Sequence, residues 1–289
     1  MRYAVRHRTT FKYEQLVSVS HHVLHLTPRD FARQQCLSSA IDIEPTPTLV
    51  SEGVDYFGNN VQYLTVNEPH KRLLVEASSL VDVAASAPLD LTASPAWDEL
   101  GQSLQTASTL EAYEFGFDSP CAVATPEVRA FARESFPPAR PVLAATMDLT
   151  MRIFKEFTYR GGVSDISTPV AEVLAKRQGV CQDFAHLEIA CLRSLGLPAR
   201  YISGYLLTHP PAGQKKLIGA DASHAWLAIW CGSEIGWVDF DPTNGLIPSD
   251  EHVTVGWGRD YGDVSPINGF ILGGGEHDVI VEVDVDPAP

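Results

Sequence analysis

The hydrophobic pattern of this chain changes its period once along the sequence. From residue 1 to about residue 85, apolar and polar side chains alternate in short runs, which is the period of half-buried β-strands. Turn-forming segments such as 27–30 (Thr-Pro-Arg-Asp) and 58–60 (Gly-Asn-Asn) separate these runs. The pattern predicts a β-sandwich built from short strands. These strands are expected near residues 3–7, 23–26, 41–43, 61–66 and 73–83.

Residues 84 to 97 separate the strand-rich part from the remainder of the chain. This segment carries prolines, serines, threonines and alanines without periodicity, which is typical of a connection between domains. A length of 289 residues fits two domains of ordinary size or one large domain. We therefore predict a β-sandwich domain over residues 1 to 90 and a second domain over residues 91 to 289.

The second part of the chain mixes helical and strand patterns. Thr168 followed by Pro169 is a good helix start, with Thr168 as N-cap, and Gly179 is a plausible stop. A further helix follows at once and ends at Gly196 and Pro198. Helices are thus predicted over residues 126 to 136, 141 to 157, 169 to 178 and 181 to 195, and strands over residues 199 to 207, 223 to 231 and 236 to 241.

The charge of the chain argues against two classes of partner. The sequence has 21 Lys+Arg against 36 Asp+Glu, a formal net charge of -15, which opposes attraction to phosphate backbones and anionic lipid.

The first residues lack the apolar core of a signal peptide, and no stretch approaches the ~18 apolar residues of a membrane span. We expect a cytoplasmic protein that binds neither nucleic acid nor membrane, while its oligomeric state stays open.

Five cysteines raise the question of a reactive thiol, because they are too few and too scattered for a disulfide scaffold. Cys181 begins a predicted helix, where unpaired backbone N–H groups and the helix dipole favour a thiolate. The same N–H groups could stabilise the oxyanion that forms when a thiolate attacks a carbonyl. The alternative is a small buried residue, the commoner fate of a free cysteine.

A predicted hairpin supplies the partners that a nucleophilic cysteine needs. His224 lies near the start of the first strand and Asp241 near the end of the second, so the two can be neighbours across an antiparallel pair. A carboxylate beside an imidazole fixes its tautomer and stabilises the imidazolium. Asp239, on the same face two residues earlier, competes for this role. Asp241 could also simply end the strand in a turn with Pro242.

The pattern of possible metal ligands is weak. Cys181, His186 and Cys191 are spaced five residues apart along one predicted helix, so they do not share a face. The glycines at 273–275 precede a strand-like tail rather than a helix, which indicates a turn and not a phosphate loop. We predict no cofactor and no metal.

Three segments together resemble the transglutaminase-like superfamily. They are Gln178-Gly179-Val180-Cys181-Gln182-Asp183, Ser223-His224-Ala225-Trp226 and Gly236-Trp237-Val238-Asp239-Phe240-Asp241-Pro242-Thr243. Segments 7–13, 24–29 and 55–60 are similar to the N-terminal β domain of bacterial transglutaminase-like proteins, and 258–266 to the segment that follows their catalytic core. The resemblance implies an α+β fold, in which a papain-like core packs the cysteine helix on an antiparallel sheet bearing His and Asp.

The resemblance also implies roles for these residues. Cys181 would be the nucleophile, His224 the general base and then acid, and Asp241, in preference to Asp239, the orienting carboxylate. The shared step of the superfamily is thiolate attack on an amide to form a thioester. The chain is therefore expected to be an enzyme, a cysteine protease or amidase or a transglutaminase-type acyltransferase, acting on a peptide or protein amide. The alternative is a catalytically silent binding or scaffold protein.

Overall fold

The computed structural model describes residues 1–103, 110–208 and 223–289. The chain has a mixed α+β architecture, as the sequence predicts. An antiparallel N-terminal sheet lies beside a second region in which helices pack on a smaller antiparallel sheet. No helix within the described ranges is long and apolar enough to cross a membrane.

The larger sheet has seven strands, built from both ends of the chain. Its order is β2-β5-β1-β4-β3, and β12 and β13 also pair with β1. The strands are β1 (Arg2–Leu24), β2 (Gln34–Glu44), β3 (Leu49–Val54), β4 (Asn60–Val66), β5 (His70–Val83), β12 (Ile267–Gly273) and β13 (His277–Pro287). The division into domains at residue 90 stays a prediction, and the sheet formed by the first 90 residues also contains β12 and β13 from the end of the chain.

Strand β1 is much longer than the sequence pattern indicates. Its first half pairs with β5 and β13, its second half pairs with β4 and β12, and the register shifts between Lys12 and Val17. Residues 14–16 at the shift are exposed, which interrupts the alternation and makes one strand read as two. Tyr13 and Leu24 of β1 join Leu64 of β4 and Leu73 of β5 in one buried cluster, so residues from several strands of this single sheet form the core of the region.

The smaller sheet has four strands in the order β10-β9-β8-β11. These strands are β8 (Ala199–Leu206), β9 (Ser223–Trp230), β10 (Trp237–Phe240) and β11 (His252–Gly258); β6 (Thr158–Tyr159) and β7 (Gln178–Gly179) form a separate parallel pair. The helices are α1 (Trp97–Ser103), α2 (Leu110–Tyr113), α3 (Pro126–Arg133), α4 (Val142–Glu156), α5 (Val170–Lys176) and α6 (Cys181–Ser194). Helix α6 lies in the core against β8 and β9, and residues 183–193 are buried.

Helix α5 begins and ends differently from the prediction. Pro169 is its N-cap rather than its first residue, since its carbonyl accepts from the Glu172 N–H. The Thr168 hydroxyl does not cap the helix and accepts a hydrogen bond from the Asp165 backbone N–H at 2.9 Å. The helix stops before Gly179, at Arg177, which takes the left-handed conformation with φ of 52°. Gly179 instead pairs with Tyr159 in the short parallel ladder.

Two buried side-chain amides from the N-terminal region complete the free edge of β11. The Thr254 N–H donates to Gln34 Oε1 at 2.8 Å, and Gln34 Nε2 donates to the Thr254 carbonyl at 2.7 Å. Asn59 does the same for Trp257, at 2.9 and 2.8 Å. A Cβ at Gly256 would lie 2.8 Å from Asn59 Oδ1, so glycine permits this approach. We call Gln34 and Asn59 the amide clamp, because each holds both backbone groups of one residue on an edge strand.

Candidate active site

Cys181 is the first residue of α6, and a short network fixes its position. Asp183 Oδ2 accepts hydrogen bonds from the Val180 N–H at 2.8 Å and from the Ser164 hydroxyl at 2.5 Å. A Cβ at Gly179 would lie 2.7 Å from Asp183 Oδ2, so glycine is needed two residues before the cysteine. The carboxylate occupies the first helical turn, where the helix dipole favours a negative charge.

His224 stands between Cys181 and Asp241. It lies near the start of β9, only 8% exposed, and its Nε2 lies 2.8 Å from Asp241 Oδ2. Cys181 also lies close enough to His224 to raise the pKa of its imidazole. Because Nε2 faces the carboxylate, Nδ1 is the ring nitrogen left for the thiol. The structure thus brings the three predicted site residues into one chain of contacts.

The charges of this cluster favour a protonated imidazole. Burial by itself lowers the pKa of His224, but the hydrogen bond to Asp241 and the interaction with Cys181 outweigh it and raise that pKa to about 10. Burial would raise the pKa of Asp241, yet the hydrogen bonds from His224 and His252 hold it well below its usual range. An imidazolium beside an ionised carboxylate is therefore the favoured state of the pair.

Asp241 accepts more hydrogen bonds than one histidine supplies. Its Oδ2 receives Asn244 Nδ2 at 2.7 Å and His252 Nε2 at 3.1 Å in addition to His224. Its Oδ1 receives the backbone N–H groups of Thr243 at 2.9 Å and Asn244 at 3.2 Å. The turn after the strand therefore holds the carboxylate in place. Asp241 both forms this turn and contacts His224, so the two roles do not exclude each other.

His252 is absent from the residues that the sequence predicts for the site. It begins β11, a strand that was not predicted, although the alternation from His252 to Val255 could have indicated one. Its ring packs edge-on against Trp226, with centroids 5.1 Å apart at 80°. Asn244 is absent as well, and the Asp-Pro-Thr-Asn turn was the available signal for it.

Asp239, the competing carboxylate, has different partners. Its Oδ2 accepts from Trp226 Nε1 at 3.3 Å and lies 3.5 Å from Arg33 Nη2 of the N-terminal region. Arg200 adds a further positive charge nearby, which opposes the rise that burial produces in the pKa of Asp239. These contacts connect the two regions of the chain, whereas Asp241 contacts His224.

The ligand-type atoms of His224, Asp241 and His252 all lie within 4.8 Å of one another, the spacing of a possible metal site. Both imidazoles already direct Nε2 at the carboxylate, so a cation would have to displace both hydrogen bonds. The helix residues considered for zinc are not brought together: His186 Nε2 accepts from the Tyr261 N–H at 3.2 Å, and Cys191 is buried against the Val128 carbonyl. We assign no metal to either group.

Family models match both regions of the chain. Residues 3–82 match the bacterial transglutaminase-like N-terminal region, and residues 129–242 match the transglutaminase-like superfamily. The chain belongs to the transglutaminase-like superfamily, which places it among cysteine-based hydrolases and transferases.

Individual relatives agree with this membership. The chain is 43% identical over 293 residues to Rv2569c of Mycobacterium tuberculosis, which covers 99% of this chain and 93% of the relative. A structure from Cytophaga hutchinsonii, provisionally named a cysteine protease, shares the fold with a TM-score of 0.77 at 21% identity, covering 100% of this chain and 92% of the other. A protein-glutamine gamma-glutamyltransferase of Pseudomonas aeruginosa is 37% identical over 73 residues, 25% of this chain and 11% of that protein.

Proposed function

We propose that this protein is a cysteine-nucleophile amide hydrolase or acyltransferase that uses Cys181, His224 and Asp241 as a triad. The observation that carries the proposal is the position of His224, whose Nε2 lies 2.8 Å from Asp241 Oδ2 and which is close enough to Cys181 for the two groups to interact electrostatically. A thiol, a buried imidazole and an ionised carboxylate in series are the parts that acyl transfer needs. In this proposal His224 transfers protons and Asp241 orients the ring.

The reaction proceeds in two halves. The Cys181 thiolate attacks the amide carbon, the sulfur–carbon bond forms, and the carbonyl oxygen becomes an oxyanion. The carbon–nitrogen bond then breaks, and the His224 imidazolium gives its proton to the leaving amine, which leaves a thioester. In the second half, water or an amine attacks the thioester, His224 removes its proton, and the thiolate departs.

The start of α6 supports the oxyanion in this scheme. Cys181 is the first helical residue, so the backbone N–H groups of this turn have no partner within the helix. The side chain of Asp183 already holds the Val180 N–H, which leaves the following N–H groups for a developing negative charge. We include Tyr159 as a second candidate donor, because it is exposed, interacts electrostatically with Cys181 and is in edge contact with Phe184.

The fold and the relatives support the proposed class of substrate. A protease-like fold supports a peptide or protein as the acyl donor. The related protein-glutamine gamma-glutamyltransferase supports amine transfer as well as hydrolysis. We further propose a reducing compartment, the cytoplasm, because each of the five cysteines, all within the described residues, is free.

The nucleophile is tested with a thiol-directed probe. Iodoacetamide at about neutral pH should label Cys181 well before Cys36 and Cys121, which are half-buried as Cys181 is, because only a thiolate reacts readily and burial raises the pKa of those two thiols. Site-resolved mass spectrometry measures each cysteine separately. Cys121→Ala should leave the fast labelling unchanged and Cys181→Ala should remove it. Equal labelling rates at all accessible cysteines would favour the silent scaffold and overturn the proposal.

The acyl acceptor is tested with small amides. An N-protected glutaminyl-glycine and a peptide library are incubated with wild-type protein and with Cys181→Ala, with and without hydroxylamine. Carboxylic acid formed in water indicates a hydrolase, while hydroxamate in preference to acid indicates a transferase. Neither product should form with the alanine variant. Product of equal yield from both proteins would refute the role of Cys181.

A further inference from the structure

His252 is a second histidine on the carboxylate of the proposed triad. Its Nε2 lies 3.1 Å from the same Asp241 oxygen that His224 contacts at 2.8 Å. Asp241 is ionised and can only accept, so His252 must carry its proton on Nε2 to make this bond. Its Nδ1 is buried and has no hydrogen-bond partner among the described residues. The contact with Asp241 is therefore the polar interaction that holds this ring.

The strand that carries His252 is held from the other region of the chain. Thr254, two residues along β11, has both backbone groups bonded to Gln34 of the amide clamp. The ring itself packs edge-on against Trp226, which is fully buried in β9 two residues from His224. His252 thus has little freedom to move without moving the edge strand.

We propose that His252 is a positioning residue, which fixes Asp241 and through it the orientation of His224 toward Cys181. The inference rests on the proposed function, since it assigns a role to a neighbour of the triad. Asp241 Oδ2 could rotate away from His224 if its other donors were lost. His252 approaches it from β11, on the opposite side of β9 from β10, and Asn244 approaches from the turn. The carboxylate is held by donors from separate elements.

The test compares three variants by the rate at which iodoacetamide alkylates Cys181, measured by site-resolved mass spectrometry in the presence of EDTA. His252→Leu removes the donor and should lower the rate about tenfold, the usual effect of losing one hydrogen bond to a charged group. His252→Gln can place its amide N–H near the same point and should stay within about twofold of wild type. Val253→Ala loosens the buried neighbouring position of β11 without touching Asp241, and should leave the rate unchanged.

A second readout reports on His224 directly. The ring N–H signal of His224 in NMR should shift in His252→Leu and return in His252→Gln, because it depends on the distance to Asp241. A rate in His252→Leu equal to that of wild type would overturn the proposal. So would an equal loss in Val253→Ala, which would mean that any loosening of the strand suffices, or a wild-type rate that EDTA alone reduces to the leucine level, which would mean that a metal holds the site.

Failure of the proposed triad would give different alkylation rates from failure of the role of His252. If His224→Asn alkylates as fast as wild type, Cys181 does not depend on a histidine, and the triad itself is refuted. If His224→Asn is slow while His252→Leu is fast, the triad stands and only the role of His252 fails. The two results therefore cannot be confused.

Discussion

Asp241 Oδ2 lies 2.8 Å from His224 Nε2, and both groups are buried at the end of one hairpin. The carboxylate raises the pKa of the imidazole, so the ring stays charged until the solution is strongly alkaline. This relationship gives a direct spectroscopic prediction.

Asp241→Asn should move the titration of His224 from about 10 down toward its ordinary value of 6.5, because the neutral amide no longer stabilises the imidazolium. Histidine ring signals in NMR, followed against pH, measure this midpoint. Asp239→Asn is the matched control, since Asp239 bonds Trp226 instead, and it should leave the His224 midpoint in place. A midpoint that Asp241→Asn fails to move by at least about one unit would contradict the electrostatic role.

Asp183→Ala should weaken the start of α6. The alanine variant loses the acceptor for the Val180 N–H and the Ser164 hydroxyl, as the loss of a helix cap does, and should lower the free energy of unfolding by about 1–2 kcal/mol. Urea denaturation measures it, with Gln182→Ala, one residue earlier in the same turn, as the control. Alkylation of Cys181 should also slow, because the turn that presents the thiol is no longer fixed. Equal stability in both variants would show that the cap is unimportant.

Glu188 makes stability depend on pH. This carboxyl is fully buried on the cysteine helix and accepts from Thr150 Oγ1 at 2.6 Å. Burial raises its pKa to about 8, against 4.5 for an exposed group. The neutral form is favoured in the folded protein, so its stabilising effect is complete below pH 4.5 and is lost as the pH rises through about 8.

Glu188→Gln should remove this dependence, because glutamine still accepts from Thr150 but cannot ionise. Wild-type unfolding free energy should fall by about 3–5 kcal/mol between these two pKa values, relative to the glutamine variant. Denaturation of both proteins at several pH values measures the difference. If the unfolding free energies of the two proteins change equally with pH, Glu188 is not the group that takes up a proton on folding.

Gln34→Ala should destabilise the fold through β11. The substitution leaves the buried N–H and carbonyl of Thr254 without partners, at a cost of about 2–4 kcal/mol for the two groups. Gln35→Ala, one residue along the same strand and exposed, should change stability by less than about 0.5 kcal/mol. Thermal unfolding of the two variants makes the comparison. Equal melting temperatures would show that water replaces the clamp.

The sequence predicts the local parts of this site better than its distant ones. Cys181 begins a helix as expected, and the predicted hairpin places His224 near an aspartate, because both features depend on neighbours in the chain. The residues alone do not separate Asp239 from Asp241, since both share a strand face and only tertiary packing gives each its partner.

Contacts between residues far apart in the sequence cannot be predicted from local sequence patterns. His252 reaches Asp241 from an unpredicted strand, and Gln34 bonds a residue 220 positions away. No periodicity within a short window encodes such contacts. Strand β1 shows the opposite error, where the irregularity after Lys12 divides one long strand into apparent short ones.

The amide clamp has a consequence for how the chain can be divided. A fragment beginning near residue 91 would lack Gln34 and Asn59. The N–H and carbonyl groups of β11 would then be unpaired and could bind a strand of another molecule. The strands at residues 267–287 would also have lost the long strand with which they pair. The N-terminal region therefore protects the rest of the molecule against aggregation by covering these strands. We expect a truncated protein to lose its solubility first.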